Sequence, residues 1–299
     1  MNHPFKHFQR KIRLWGSVGL LWAGLQTAWA IQPVSAPVAQ VLEAQSQSLN
    51  LWQLADNPEV FIFDFPGLAY QGRSFNRITQ FTEQQFSEPY PRVLNNQELA
   101  RYIQASRRTQ TDFAFGHDVL VSELVQFFNY ALRDKVELYP EELVIRDFLL
   151  EQGLIRFWRG FYQGLRPDAV VLAVPQVQAR KSDEPMVTAQ ARATILLHEL
   201  AHAEYYTNVH FRKFCQRFWY EILQPEQREA FKRFLANFNY AVANEELLIN
   251  EMQAYLMFTP DRHSFSARKL GVSEEELQSM RNAFRSKVPP IPLPMPGDM

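Results

Sequence analysis

His198-Glu199-Leu200-Ala201-His202 sets two imidazoles four residues apart, with an acid directly after the first. On a helix, residues four apart project from one face, so both rings can share a tetrahedral ion. Glu199 lies about 100° round the helix from His198, which suits a base beside a metal better than a ligand to it. Zinc lowers the pKa of a bound water toward neutrality, and a nearby carboxylate can then take the proton. The spacing thus points to metal-assisted hydrolysis, with His198 and His202 as ligands, Glu199 as general base and Zn2+ as cofactor. Ile195-Leu196-Leu197 and Ala201 make the surroundings apolar. Buried histidines flanking a glutamate need a reason, because isolated charge in a core is costly. The competing explanations are a solvent-facing helix with incidental histidines and a His–Glu hydrogen-bond cluster in the core.

A third ligand has to come from further along the chain. Glu251 lies 49 residues beyond His202. On a helix over 243–258 it shares a face with Asn244, Leu247, Leu248, Ala254, Tyr255 and Phe258, whereas Glu246 points the opposite way and Glu245 to the side. A carboxylate centred on an apolar stripe must find a partner, which is a metal, an arginine or a tyrosine. His210 would reach the site only if the helix ran on through Thr207-Asn208, which reads as a break and a new cap. Gly116-His117-Asp118 reads either as a second polar site or as a helix N-terminus whose amides Asp118 satisfies. Tyr205, Tyr206 and Tyr255 can each donate a hydrogen bond to an oxyanion or to substrate, or serve in packing.

The elements that must position these groups are mainly helical. Val60–Phe65 is a short aromatic and β-branched run closed by Pro66-Gly67, and 169–174 is an unbroken apolar run stopped by Pro175; both predict strands. Helical spacing predicts helices opening near Asn96 as N-cap, over about 120–133, and from Pro140 to just before Gly153. Further helices are expected over about 187–206, 208–223, 225–240, 243–258 and 273–287, the last opening with a capping-box pattern at Ser273. The fold class is α+β, mainly α-helical, with a short β-sheet ahead of the helix that carries the histidines. Residues 31–50 look like a flexible lead-in, 51–160 like a mainly helical N-terminal region, 161–288 like the core of the site, and 289–299 like a Pro-rich surface strap. The aromatic-rich first half could equally be a recognition module, a lid or a pro-segment.

With these residues in place, the chain resembles the zincin metallopeptidases, and among them the gluzincin branch. The likeness rests on His198 to His202, on the strand-then-helix context, and on Glu251 followed by Ala254, which is similar to the Glu-x-x-Ala pattern of that branch. It does not reach the first 150 residues. The resemblance implies a zincin-like catalytic core, Glu251 as third ligand, and the strand at 169–174 as an edge that pairs with an extended peptide. The longer metzincin pattern would need Gly at 205 and His at 208, where the chain has Tyr205 and Asn208. In the thermolysin-like form an Asp four residues after the glutamate supports a histidine; here that position is Tyr255, so the outer hydrogen-bond partners of the ligands are not identifiable from sequence.

Composition narrows the setting. Lys6, Arg10, Lys11 and Arg13, then an apolar stretch from Trp15 to Leu25, then Ala28-Trp29-Ala30, have the layout of a cleavable secretory signal at 1–30. The expected location is secreted or periplasmic, with no transmembrane anchor after cleavage. The 31 Lys and Arg stand against 32 acids; loss of those four cations leaves 27 against 32, about −5. Basic residues are scattered among acids, which argues against nucleic acid as a partner. Cys215 is the only cysteine, so there is no internal disulfide, and its aromatic neighbours mark it as packing. The expected function is an exported zinc metallopeptidase acting on a peptide or protein, in the cell envelope or beyond. The alternative is a non-catalytic envelope binding or assembly protein holding a structural metal.

Overall fold

A computed structural model describes residues 32–84, 91–238 and 240–295. The expected signal at 1–30 lies outside them. In chain order the first half holds β1 (Val34–Ala36), α1 (Val38–Glu43), β2 (Asn50–Leu54), β3 (Val60–Phe65), α2 (Leu68–Gln84), α3 (Asn96–Ala105), β4 (His117–Leu120), α4 (Val121–Asp134) and α5 (Pro140–Glu151). The second half holds β5 (Ile155–Trp158), β6 (Phe161–Gly164), β7 (Val170–Pro175), α6 (Ala189–Thr207), α7 (Val209–Arg217), a π-helical turn at Phe218–Ile222, α8 (Pro225–Ala236), α9 (Glu245–Phe258), α10 (Ala267–Leu270) and α11 (Glu274–Arg285). The chain is α+β and mainly helical. No helix among the described residues is long and apolar enough to cross a membrane.

Five strands form one mixed sheet in the order β1-β2-β3-β7-β4. β3 and β7 run parallel at its centre, and β4 closes one edge antiparallel to β7, with Asp118 opposite Leu172. Alternation along the strands divides the interior in two. Val60, Ile62, Val170, Leu172 and Val174 face a core built with α6, α7, α8, α9 and α11, while Phe61, Phe63, Phe65, Val171 and Ala173 face a core built with α2, α4 and α5. The central strands are buried on both faces, which is why they read as continuous apolar runs and not as alternating ones.

Two domain expectations are corrected. Residues 51–160 and 161–288 are not separate bodies, because β7 lies between β3 and β4 in one sheet, and the described residues from 32 to 295 belong to one compact unit. Nor is 31–50 a flexible lead-in: β1 pairs with β2, and Ala36, Val38 and Val41 are buried in the larger core. Its Pro, Gln and Ser content reflects a short edge strand and a one-and-a-half-turn helix, whose few inward positions suffice to dock it. In the Pro-rich tail Leu293 is buried, and 296–299 lie outside the described residues.

The helix bearing the histidines is locked to the sheet by a buried charge. Arg192, in its first turn, donates to both carboxylate oxygens of Asp64 on β3, at 2.7 and 3.1 Å, and to the carbonyls of Pro175 and Val41. Trp52 and Gln176 also donate to Asp64. Thr188 caps the helix by accepting from Ala191 N. These bonds fix both the start and the rotation of α6, and so decide which side chains it turns toward β4 and α9.

Candidate metal centre

α6 and α9 pack against each other, and His198, His202 and Glu251 meet between them, with donor atoms all within 4.8 Å of one another. His198 Nε2 and His202 Nε2 are 3.1 Å apart, and Glu251 Oε2 is 3.7 Å from the first and 3.8 Å from the second. A tetrahedral ion about 2.1 Å from each donor requires donor separations of about 3.4 Å, so the three atoms frame one face of such a site.

The hydrogen bonds behind the rings say which atoms are free to ligate. Thr259 Oγ1 donates to the carbonyl of Ala254, so it accepts from His198 Nδ1 at 2.9 Å. Asn250 Oδ1 accepts from Gln253 Nε2 and from His202 Nδ1, the latter at 3.0 Å. Gln253 is itself held to the carbonyl of Ala201 on α6. Both imidazoles thus carry their proton on Nδ1 and turn the lone pair of Nε2 inward, a tautomer assigned from this network. Two lone pairs at 3.1 Å repel unless a cation or a proton lies between them. Glu251 Oε2, buried and without a hydrogen-bond partner, aims at the same point. The donor set of two imidazoles and a carboxylate is one that zinc takes.

Titration behaviour reflects the crowding. Burial, and then His202, hold His198 well below the ordinary histidine range. His202 is also opposed by burial, yet the carboxyl groups of Asp118, Glu251 and Glu199 hold it up, at about 9. Burial raises Glu251 to about 7 against the pull of His202. Without a metal, then, the cluster keeps a proton on His202 where an ion of higher charge would sit.

Glu199 reaches toward Asp118 on β4 while its carboxylate stays near His202. Asp118, Glu199 and His202 form a second cluster within 4.8 Å, and burial followed by the Asp118 charge lifts Glu199 well above the ordinary carboxylate range. Asp118 is raised as well, by burial, while the neighbouring Tyr206 works the other way. The expectation of a helix N-terminus capped by Asp118 is therefore corrected: His117–Leu120 is an edge strand, and alternation sends Asp118 to the α6 face. Glu123 Oε2 accepts from Leu120 N at the start of α4 instead. Gly116 lies directly against Glu199. A Cβ built there would stand 2.7 Å from Glu199 Cδ and 2.8 Å from Ile195 Cγ2.

The remaining residues separate clearly. Tyr255 packs edge-on to His198, with centroids 4.8 Å apart, and Tyr206 lies beside Asp118. Tyr205 is not at the site: it lies on the His198 stripe of α6 but two turns further along, where its hydroxyl donates to Glu246 of α9 at 2.7 Å. His210 is exposed on α7 beyond the break at Asn208, and Cys215 is buried packing. β7 cannot accept an added strand, being paired on both sides; the open edge next to the site belongs to β4. Asn250 and Thr259, the ring partners, were invisible in sequence because one precedes Glu251 within the helix and the other is its C-terminal cap.

No protein-family model matches this chain, and no curated protein or solved structure matches it.

Proposed function

We propose that this chain is an exported zinc-dependent hydrolase, a peptidase of the gluzincin type with a zincin-like core. The observation that carries the reading is the convergence of two inward imidazole lone pairs and the unpartnered Glu251 oxygen on one point, beside an acid that is not part of that triangle. His198, His202 and Glu251 would hold the ion. When bound, Zn2+ would supply Lewis acidity that polarises a carbonyl oxygen and acidifies water.

The chain's own groups then do the proton work. Glu199 accepts a proton from the attacking water as the C–O bond forms, and delivers it to the amine nitrogen as the C–N bond breaks. A nearby dication favours the ionised carboxylate, offsetting the burial that raises Glu199 in the metal-free protein. Thr259 and Asn250 fix the ring orientations, as partners of metal-bound histidines do. Tyr206 and Tyr255 are the phenols that would donate to the developing oxyanion. The unpaired edge of β4, which carries Asp118, would offer backbone groups for pairing an extended peptide.

Asp118 favours the structural-metal alternative in one respect, since it brings a further carboxylate near His202. A fourth protein ligand would close the ion and forbid turnover. The deciding experiment is hydrolysis of quenched peptides by the metal-loaded protein, compared with Glu199→Gln at equal zinc content. Loss of at least about 100-fold in kcat, with zinc retained, supports the base role. Undiminished hydrolysis removes it, and no hydrolysis by the wild type favours the closed, structural ion.

A further inference from the structure

β5 and β6 form a two-stranded hairpin that stands apart from the main sheet. Its turn is two residues, Arg159 and Gly160, with φ of 51° and 89°. A turn with both residues in the left-handed region matches strand twist and leaves little slack, so the tip is stiff. The base is fixed as well. Ile155 and Tyr162 are buried, and the Asn129 side chain brackets Tyr162, accepting from its N at 2.7 Å and donating to its carbonyl at 2.9 Å.

The tip is built differently from the base. Phe157, Trp158, Phe161 and Leu165 are 52, 52, 45 and 49% exposed. No other nine-residue stretch of the described chain holds four exposed large apolar side chains. Trp158 pairs with Phe161 in register, which puts both rings on one face beside the turn. The charges there are all of one sign. Arg156 and Arg159 are exposed, neither forms an ion pair with a described residue, and 152–167 contain no acid. The Arg159 guanidinium sits 5.8 Å over the Trp158 ring.

We propose that this hairpin docks on an anionic lipid bilayer. Trp and Phe with an apolar body favour the headgroup level of a membrane, and arginine both snorkels and binds phosphate through its forked donors. Area separates a lipid occupant from a protein one. Four half-exposed side chains at roughly 100 Å² each offer about 400 Å², half of the ~800 Å² per partner that a stable protein interface buries. A convex, stiff tip of that size suits insertion between lipid headgroups. Because the chain as a whole is not basic, with a formal charge of −1, attraction is local to Arg156 and Arg159 and weakens as salt screens it. The assignment is independent of the metal site.

The test uses the full chain with Gln163→Cys, on the outer face of the hairpin, labelled with an environment-sensitive dye; Cys215 is buried and does not compete. The probe is unilamellar vesicles of phosphatidylcholine with about 30% phosphatidylglycerol, a composition chosen to give an anionic surface. The expected result is a blue-shifted, brighter dye on these vesicles, reversed by about 0.5 M salt and weak on phosphatidylcholine alone. Trp158→Ala/Phe161→Ala and Arg156→Glu/Arg159→Glu, each checked for an unchanged melting temperature, are expected to weaken the response at least tenfold. A dye indifferent to vesicles, equal responses in those variants or on neutral vesicles, or a lipid-free shift that grows with protein concentration overturns the proposal.

Discussion

Replacing Gly116 by Ala tests the placement of Glu199 with a single methyl group. The backbone at Gly116 is not in the left-handed region, so alanine carries no conformational penalty there, and the whole effect is steric. The new Cβ would lie 2.7 Å from Glu199 Cδ and 2.8 Å from Ile195 Cγ2, about 0.7 Å or more inside ordinary carbon contact. The carboxyl group is the freer neighbour, because Ile195 is held by the packing of α6 against the sheet. Glu199 must therefore swing by roughly an ångström, and a misplacement of that size costs on the order of 100-fold in rate. The metal ligands lie on other faces and stay in place. The assay is steady-state hydrolysis of a quenched peptide by the zinc-loaded protein, together with zinc stoichiometry and melting temperature. The expected outcome is a fall in kcat of about 100-fold, KM within a few-fold, and zinc and stability close to wild type. A variant that hydrolyses within about threefold of wild type, or that loses zinc in proportion to activity, refutes the argument that Gly116 gives Glu199 its room.

Four further outcomes follow from the geometry. Thr259→Val and Asn250→Leu each remove a ring partner and should weaken zinc binding about 10–100-fold in a chelator competition; unchanged affinity would show that the rings are oriented by packing alone. Asp118→Asn removes the negative charge that raises Glu199, so the Glu199 pKa falls and the acidic limb of the kcat/KM profile should move to lower pH; a limb that stays put denies the coupling. His117 is buried at about 3 against 6.5 unfolded, so the unfolded chain binds more protons between those values and stability falls as pH drops below 6.5. That term amounts to about 2 kcal/mol by pH 5, and His117→Asn should flatten it in denaturant titrations at pH 7 and 5. Asp64→Asn leaves the Arg192 guanidinium buried without its counter-charge and should cost about 3–5 kcal/mol of unfolding free energy; a loss under 1 kcal/mol would mean Arg192 is not what anchors α6.

How far the sequence reached depended on which contacts write themselves into local pattern. Strands β3 and β7, buried on both faces, read as apolar runs, and the helix expected to open near Asn96 as N-cap begins there, with Asn95 one residue earlier as the cap. The two histidines sit on one helix, so their spacing alone brought them together, and Glu251 was marked by an acid on an apolar stripe. α2 was missed because Gln71, Asn76, Arg77 and Gln80 on it are buried, which erases the contrast between its faces. Arg77 is satisfied by Glu142, 65 residues away, at 2.8 Å; nothing local announces such a pair. The hairpin escaped for the opposite reason, since four-residue strands with exposed aromatics have no apolar alternation to follow. Asp118 was left between a polar site and a helix cap because its strand is four residues long and runs straight into α4. Tyr205 shares the stripe of His198 but stands two turns, about 10 Å, further along α6, where Glu246 takes its hydroxyl.

The most direct measurement is the zinc content and coordination of the purified protein, by elemental analysis and X-ray absorption, for wild type and Glu251→Gln. One zinc per chain, with two imidazole nitrogens and oxygen donors near 2.0–2.1 Å, and a weaker, altered site in Glu251→Gln, is the predicted result. A protein that takes up no zinc after metal loading, or whose coordination is indifferent to Glu251→Gln, contradicts the convergence of His198, His202 and Glu251 on one ion.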